Sequence, residues 1–167
     1  MTTNGTNETV DGVDLDRLRQ WMDEQCLGSG DLTDVSPLAG GTQNILLGFR
    51  RADRAYVLRR PPMHKRANSD DTMRRESKVL AALAGTDVPH PGFIAGEADP
   101  DVLGASFYLM EPVDGFNASV GLPEPHRSDP AIQREMGFAL IDGAAALGTV
   151  DHVEVGLGDF GRPEGYL

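Results

Sequence analysis

The residues best suited to chemistry lie in and after the stretch Leu38-Ala-Gly-Gly-Thr-Gln-Asn44. It is followed by an apolar run from Ile45 to Arg50 and then by Tyr56-Val-Leu-Arg-Arg-Pro-Pro62. Gly40 and Gly41 permit positive φ and let a ligand approach the backbone closely. Thr42, Gln43 and Asn44 add side-chain donors beside the exposed N–H groups. Arg59 stands at the end of a short apolar strand, where a guanidinium can fork onto phosphate oxygens. A small turn over a strand-borne cation suits an oligophosphate, although a Gly-Gly pair also serves as an ordinary hairpin turn.

The second candidate is a carboxylate. Met73, Leu80 and Leu83 mark the apolar stripe of a helix, and Glu76 falls on that stripe. A carboxylate there is costly unless a cation meets it, and the preceding strand offers Arg59. The other reading keeps Glu76 at the margin of the stripe, bonded locally to Arg75 or Lys78.

Charge is distributed unevenly. The chain carries 26 acidic and 15 basic residues, a net charge of −11. Ten of the cations, with only four acids, lie between Arg50 and Lys78. The overall balance argues against nucleic-acid binding, which needs a broad basic footprint. A local basic sector suits a small anion, and a solvated basic face accounts for many of these residues singly.

Other site types find little support. Cys26 is the single cysteine, which excludes an internal disulfide and fits a reducing cytosol. His64, His90, His126 and His152 show no metal-ligand spacing. Gly28-Ser-Gly30 lacks the preceding strand and following helix of a dinucleotide loop. No apolar run approaches the roughly 20 residues of a membrane span, and the polar N-terminus does not read as a signal peptide. A cytoplasmic protein without membrane or nucleic-acid partners is expected.

These residues need a scaffold. Residues 1 to about 12 are polar and expected to be disordered. Asp14 can cap a helix to about Leu27, with Gly28 as its stop and Leu15, Leu18, Trp21 and Met22 as its buried stripe. Leu32 to Leu38, Asn44 to Arg50 and Ala55 to Arg60 then read as antiparallel strands. A helix from Ser69 or Asp70 to Ala84 follows, and Gly92 to Glu97 and Ser106 to Met110 read as two more strands. After a linker, Pro130 opens a helix to about Leu147, with Met136, Leu140 and Leu147 on one face. The expected fold class is α+β: a five-stranded antiparallel sheet with one inserted helix, an N-terminal helix before it and helical structure after it.

In this order, five segments resemble the aminoglycoside phosphotransferase-like family of small-molecule kinases. They are Leu-Ala-Gly-Gly-Thr-Gln-Asn44, Tyr56-Val-Leu-Arg-Arg-Pro-Pro, Arg75-Glu-Ser-Lys-Val-Leu80, Phe107-Tyr-Leu-Met-Glu-Pro-Val-Asp-Gly115 and Gly156-Leu-Gly-Asp-Phe-Gly-Arg-Pro-Glu-Gly-Tyr-Leu167. The likeness is nearest to the acyl-CoA-dehydrogenase-associated branch. It implies a protein-kinase-like N-lobe with hinge over residues 13–115, and a linker with the beginning of a helical C-lobe over 116–167. It also implies that residues 39 to 44 cover the phosphates of ATP or another nucleoside triphosphate. Arg59 would bind those phosphates and Glu76 would orient it. Met110 would sit behind the adenine, with the Glu111 carbonyl and the Val113 N–H on its edge.

The chain departs from the family in one respect. The catalytic loop His-Gly-Asp with its downstream Asn, and the metal motif Asp-Trp-Glu, do not occur. These supply the base and the magnesium ligands. Asp159-Phe-Gly161 resembles the protein-kinase metal motif, but no catalytic loop precedes it. The expectation is the nucleotide-binding portion of an ATP-dependent phosphotransferase acting on a hydroxyl of a small molecule, with the Mg2+ ligands outside this chain. The alternative is a catalytically inactive nucleotide-binding or protein-interaction module. The hinge side and the helix from Pro130 to Leu147, lacking packing partners, would favour aggregation or pairing with another chain, a homodimer among the expected forms.

Overall fold

Alternation along Tyr56-Val-Leu-Arg-Arg sorts side chains onto two faces of a sheet, and each face receives a helix. The computed structural model describes residues 8–38 and 44–161. In chain order the elements are β1 (Thr9–Val10), β2 (Val13–Asp14), α1 (Leu15–Glu24), β3 (Leu32–Pro37), β4 (Ile45–Arg51), β5 (Arg54–Arg60), α2 (Ser69–Leu83), β6 (Phe93–Glu97), β7 (Phe107–Met110) and α3 (Pro130–Thr149). Strands β3 to β7 form one antiparallel sheet in the order β3-β4-β5-β7-β6. The chain divides into two units, Met1–Lys78 with Pro91–Pro112 and Val79–His90 with Val113–Leu167.

In the first unit, α1 covers one face of the sheet. Leu15, Leu18, Trp21 and Met22 are buried, the four residues that the stripe predicts. They join Leu47, Phe49, Tyr56, Leu58, Phe107 and Leu109 in one apolar cluster. Trp21 meets Phe107 edge to face at 4.8 Å and donates its indole N–H to Glu97 at 2.8 Å. The Asp14 side chain caps α1 by accepting from the Arg17 N–H. The helix ends at Glu24, earlier than expected. Cys26, at φ 56, takes the left-handed position, and the Leu27 N–H returns to the Met22 carbonyl.

Residues 8–13 are more ordered than their polarity suggests. Thr9–Val10 and Val13–Asp14 pair as a hairpin, and Val13 is fully buried. The disordered tail expected to about residue 12 therefore does not extend through the described residues 8–12. Strands this short carry almost no periodic signal, because one apolar residue on each side cannot define a period of two.

In the second unit, Asp129 caps α3 by accepting from the Ala131 N–H, with Pro130 in the first turn. The expected inward face is corrected. Met136 is half-buried together with Ile132, Gly143 and Ala146, whereas Leu140 is 76% and Leu147 54% exposed. Small residues make the close approach here: a Cβ on Gly143 would stand 3.6 Å from Pro89. Among the described residues no helix is long and apolar enough to cross a membrane.

Candidate functional site

The face of the sheet opposite α1 carries Val57 and Arg59 of β5 together with Tyr108 and Met110 of β7. The β5–β7 register sets Arg59 directly beside Tyr108 and Val57 beside Met110. Helix α2 brings Glu76 to this face. Arg59 donates through Nε to Glu76 Oε2 at 2.9 Å and through Nη2 to Oε1 at 3.3 Å. This is a two-point fork of the kind that gives an arginine–carboxylate pair both strength and a defined plane. Of the two readings of Glu76, the structure selects the pair with Arg59.

The pair is neither sealed nor loose. The Arg59 and Glu76 side chains are 29% and 32% exposed. A guanidinium anchored on one side and reachable on another can accept an anionic ligand without a large rearrangement. Tyr108, itself buried, adds a third donor: its hydroxyl reaches Glu76 Oε2 at 3.1 Å. Burial first, opposed by the Arg59 charge and reinforced by Glu76, holds the phenol well above its ordinary pKa. It therefore remains a donor at neutral pH.

Two features hold α2 at this distance. Gly96 of β6 lies opposite Tyr108, and a Cβ there would stand 2.6 Å from the Ser77 Oγ. The missing side chain lets the helix rest closely on the strand. At the N-terminus of α2, Asp70 accepts from Lys65 Nζ at 2.5 Å and from the Ser106 N–H at 2.9 Å. Burial raises the Asp70 pKa, but these two hydrogen bonds and the Lys65 and Arg74 charges outweigh it and leave the pKa below its ordinary value.

The other sequence candidates fall as follows. Ala39, Gly40, Gly41, Thr42 and Gln43 lie outside the described residues, and Asn44 forms the bend before β4. Met110 is half-buried at the end of β7. Glu111 donates its backbone N–H to the Gly92 carbonyl at 2.8 Å, and its carboxylate pairs with Arg54 at 3.0 Å. Val113 belongs to the second unit and is 69% exposed. Asp159-Phe-Gly161 lies in a turn where the Phe160 N–H bonds to the Leu157 carbonyl. Among the described residues no three His, Cys, Asp or Glu side chains gather as a metal site.

Sequence reasoning passed over Tyr108 and Gly96. Tyr108 sits in Phe-Tyr-Leu-Met, a run buried except at its half-buried last residue, where polarity does not alternate. A signal was nonetheless present: period two places Tyr108 on the face of Met110, which the hinge reading had already turned towards the nucleotide.

The phosphotransferase enzyme family matches residues 34–167. A crystal structure of a candidate aminoglycoside phosphotransferase from Ralstonia eutropha shares a TM-score of 0.72 and 32% identity, over 92% of this chain and 44% of that one. Probable acyl-CoA dehydrogenase IBR3 of Arabidopsis thaliana is 34% identical over 140 residues, 79% of this chain and 16% of its own length. Acyl-CoA dehydrogenase family member 10 of Mus musculus is 32% identical over 130 residues, 76% of this chain and 12% of its own length. The chain thus spans less than a fifth of these two curated relatives and under half of the solved structure. The family match runs from β3 through α3 and includes the strand and helix that carry Arg59 and Glu76, so this chain belongs to the phosphotransferase enzyme family and has its kinase-like fold.

Proposed function

We propose that this chain is the nucleotide-binding portion of an ATP-dependent phosphotransferase whose acceptor is a hydroxyl of a small molecule. The observation that supports this most directly is the Arg59–Glu76 fork between strand and helix, with about a third of each side chain accessible. Its chemistry is electrostatic. A guanidinium held by a carboxylate keeps its position before ligand arrives, so phosphate binding requires little reorganisation. Residues 39–44 would supply backbone and side-chain donors over the phosphates. Met110, Glu111 and Val113 would take the base.

Magnesium is a different matter. The described residues contain no cluster fit to hold a cation, and the sequence lacks the family's metal motif. The carboxylate base that would accept the hydroxyl proton is likewise not among its motifs. The 167-residue chain is therefore expected to bind nucleotide weakly, near about 1 mM or −4 kcal/mol, and to transfer no phosphate by itself.

Titrating the chain with ATP while observing its amide resonances tests the reading. Saturable binding that is at least about tenfold weaker in a folded Arg59→Ala variant is expected, a loss of the order of one charge-assisted hydrogen bond. Equal affinity in the variant would remove Arg59 from the site. Incubation with magnesium, labelled ATP and a panel of small alcohols checks the second expectation. Transfer that disappears with Arg59→Ala would show that the chain finds its base elsewhere.

A further inference from the structure

We propose that the Tyr108 hydroxyl is a positioning group for phosphate binding: it fixes the Glu76 carboxylate, which in turn fixes the Arg59 guanidinium. The inference rests on the reading of Arg59 as the phosphate-binding cation.

The geometry assigns Tyr108 more than a packing role. A glutamate on a helix has three rotatable bonds, and a forked partner that is also flexible fixes the two only relative to each other. The pair could still move together. A third donor from a rigid element removes that freedom. Tyr108 has only two side-chain torsions, its ring is buried, and it sits on β7 directly beside Arg59 in the register. Its hydroxyl meets Oε2, the same oxygen that accepts Arg59 Nε. Both donors thus converge on one atom from adjacent strands, whose separation is set by the backbone ladder. Gly96, across from Tyr108 on β6, lets α2 descend far enough for this convergence. Phenylalanine would fill the same space without the donor, so packing alone does not call for the hydroxyl.

The test compares the chain with its Tyr108→Phe, Arg59→Ala and Glu76→Gln variants by two readouts. The first is the Arg59 Nε–H resonance without nucleotide, which reports the state of the fork. The second is ATP affinity from the same titration. Tyr108→Phe is expected to shift or broaden the Arg59 Nε–H signal. It should also weaken ATP binding about three- to tenfold, the size of one hydrogen bond to a charged group, with the amide spectrum otherwise preserved. Glu76→Gln should move the same resonance further. An unchanged Nε–H signal in Tyr108→Phe overturns the proposal, whatever the stability of the variant. Unchanged ATP affinity in Tyr108→Phe, where Arg59→Ala loses binding, overturns it while leaving the site reading intact. Unchanged affinity in Arg59→Ala removes the site reading instead, and the proposal falls with it. If Tyr108→Phe does not fold, Gly96→Ala supplies a second perturbation of the same contact. An undisturbed Nε–H signal there, with α2 displaced, counts against the proposal.

Discussion

Arg59 and Arg60 are neighbours on one strand and live in opposite circumstances. Arg59 faces α2, is about a third exposed, and is held by a carboxylate. Arg60 faces the other side of the sheet and is 1% exposed. It donates to the carbonyls of Pro61 at 3.0 Å, Leu103 at 2.7 Å and Gly12 at 3.3 Å, and to the Met63 sulfur at 3.5 Å. Burial pushes its pKa down, with the nearby Asp70 charge acting against that. Its hydrogen-bond partners are neutral acceptors on separate segments, including the β1–β2 turn. Arg60 ties backbone together and leaves no room for a ligand. Two arginines of equal charge are thus separated by the pleat of the strand: surroundings, not residue type, leave one partly open beside a carboxylate and make the other a structural clamp.

The sharpest way to break this comparison is to remove each guanidinium in turn. Arg60→Ala leaves the Gly12 and Leu103 carbonyls without their donor and opens space beneath Met63. It should cost about 3 kcal/mol or more. Arg59→Ala breaks a partly exposed pair and should cost no more than about 1 kcal/mol. Urea denaturation of both variants checks the order. A larger loss for Arg59→Ala would invert the assignment of roles.

A smaller effect concerns the distance at which α2 is held. In Gly96→Ala the new Cβ must displace the Ser77 Oγ, so a loss of about 1 kcal/mol is expected from overpacking. Adding Ser77→Ala should restore most of it. If the double variant is no more stable than Gly96→Ala, the close approach of helix and strand at this point is not what Gly96 provides.

The smallest expected effect is on pH dependence. The Asp70 pKa is lowered by folding, so its stabilising contribution is complete above the ordinary carboxylate value of 3.8 and is lost as pH falls through the lowered value. Asp70→Asn should therefore flatten the acid limb of the stability curve while changing its slope little near neutral pH. Amide exchange in the first turn of α2, compared between neutral pH and a pH well below the ordinary carboxylate value of 3.8, gives the local readout. Equal acid dependence in the variant and the parent would place the control elsewhere.

Several parts of this architecture are legible in the chain itself. The α1 stripe of Leu15, Leu18, Trp21 and Met22 is evident because an amphipathic helix repeats its apolar residues at a spacing no other element uses. Glu76 is marked by being polar on an apolar stripe, and Arg59 by ending an apolar strand. The face of α3 was misassigned from large apolar residues, because the half-buried side is made of small ones, Gly143 and Ala146, whose size allows close approach and whose hydropathy gives little signal.

By itself, the sequence determined which segments form the three helices and the five strands of the main sheet, that Asp14 caps α1, and that a carboxylate on the α2 stripe calls for a cation. These follow from local periodicity and from the cost of burying a charge. Only the tertiary structure decided that β7 lies between β5 and β6, and with it that Tyr108 stands beside Arg59. It alone separated Arg59 from Arg60, because exposure depends on what packs over each face of the sheet. Strand order and register come from contacts between distant segments, and no window along one chain contains them.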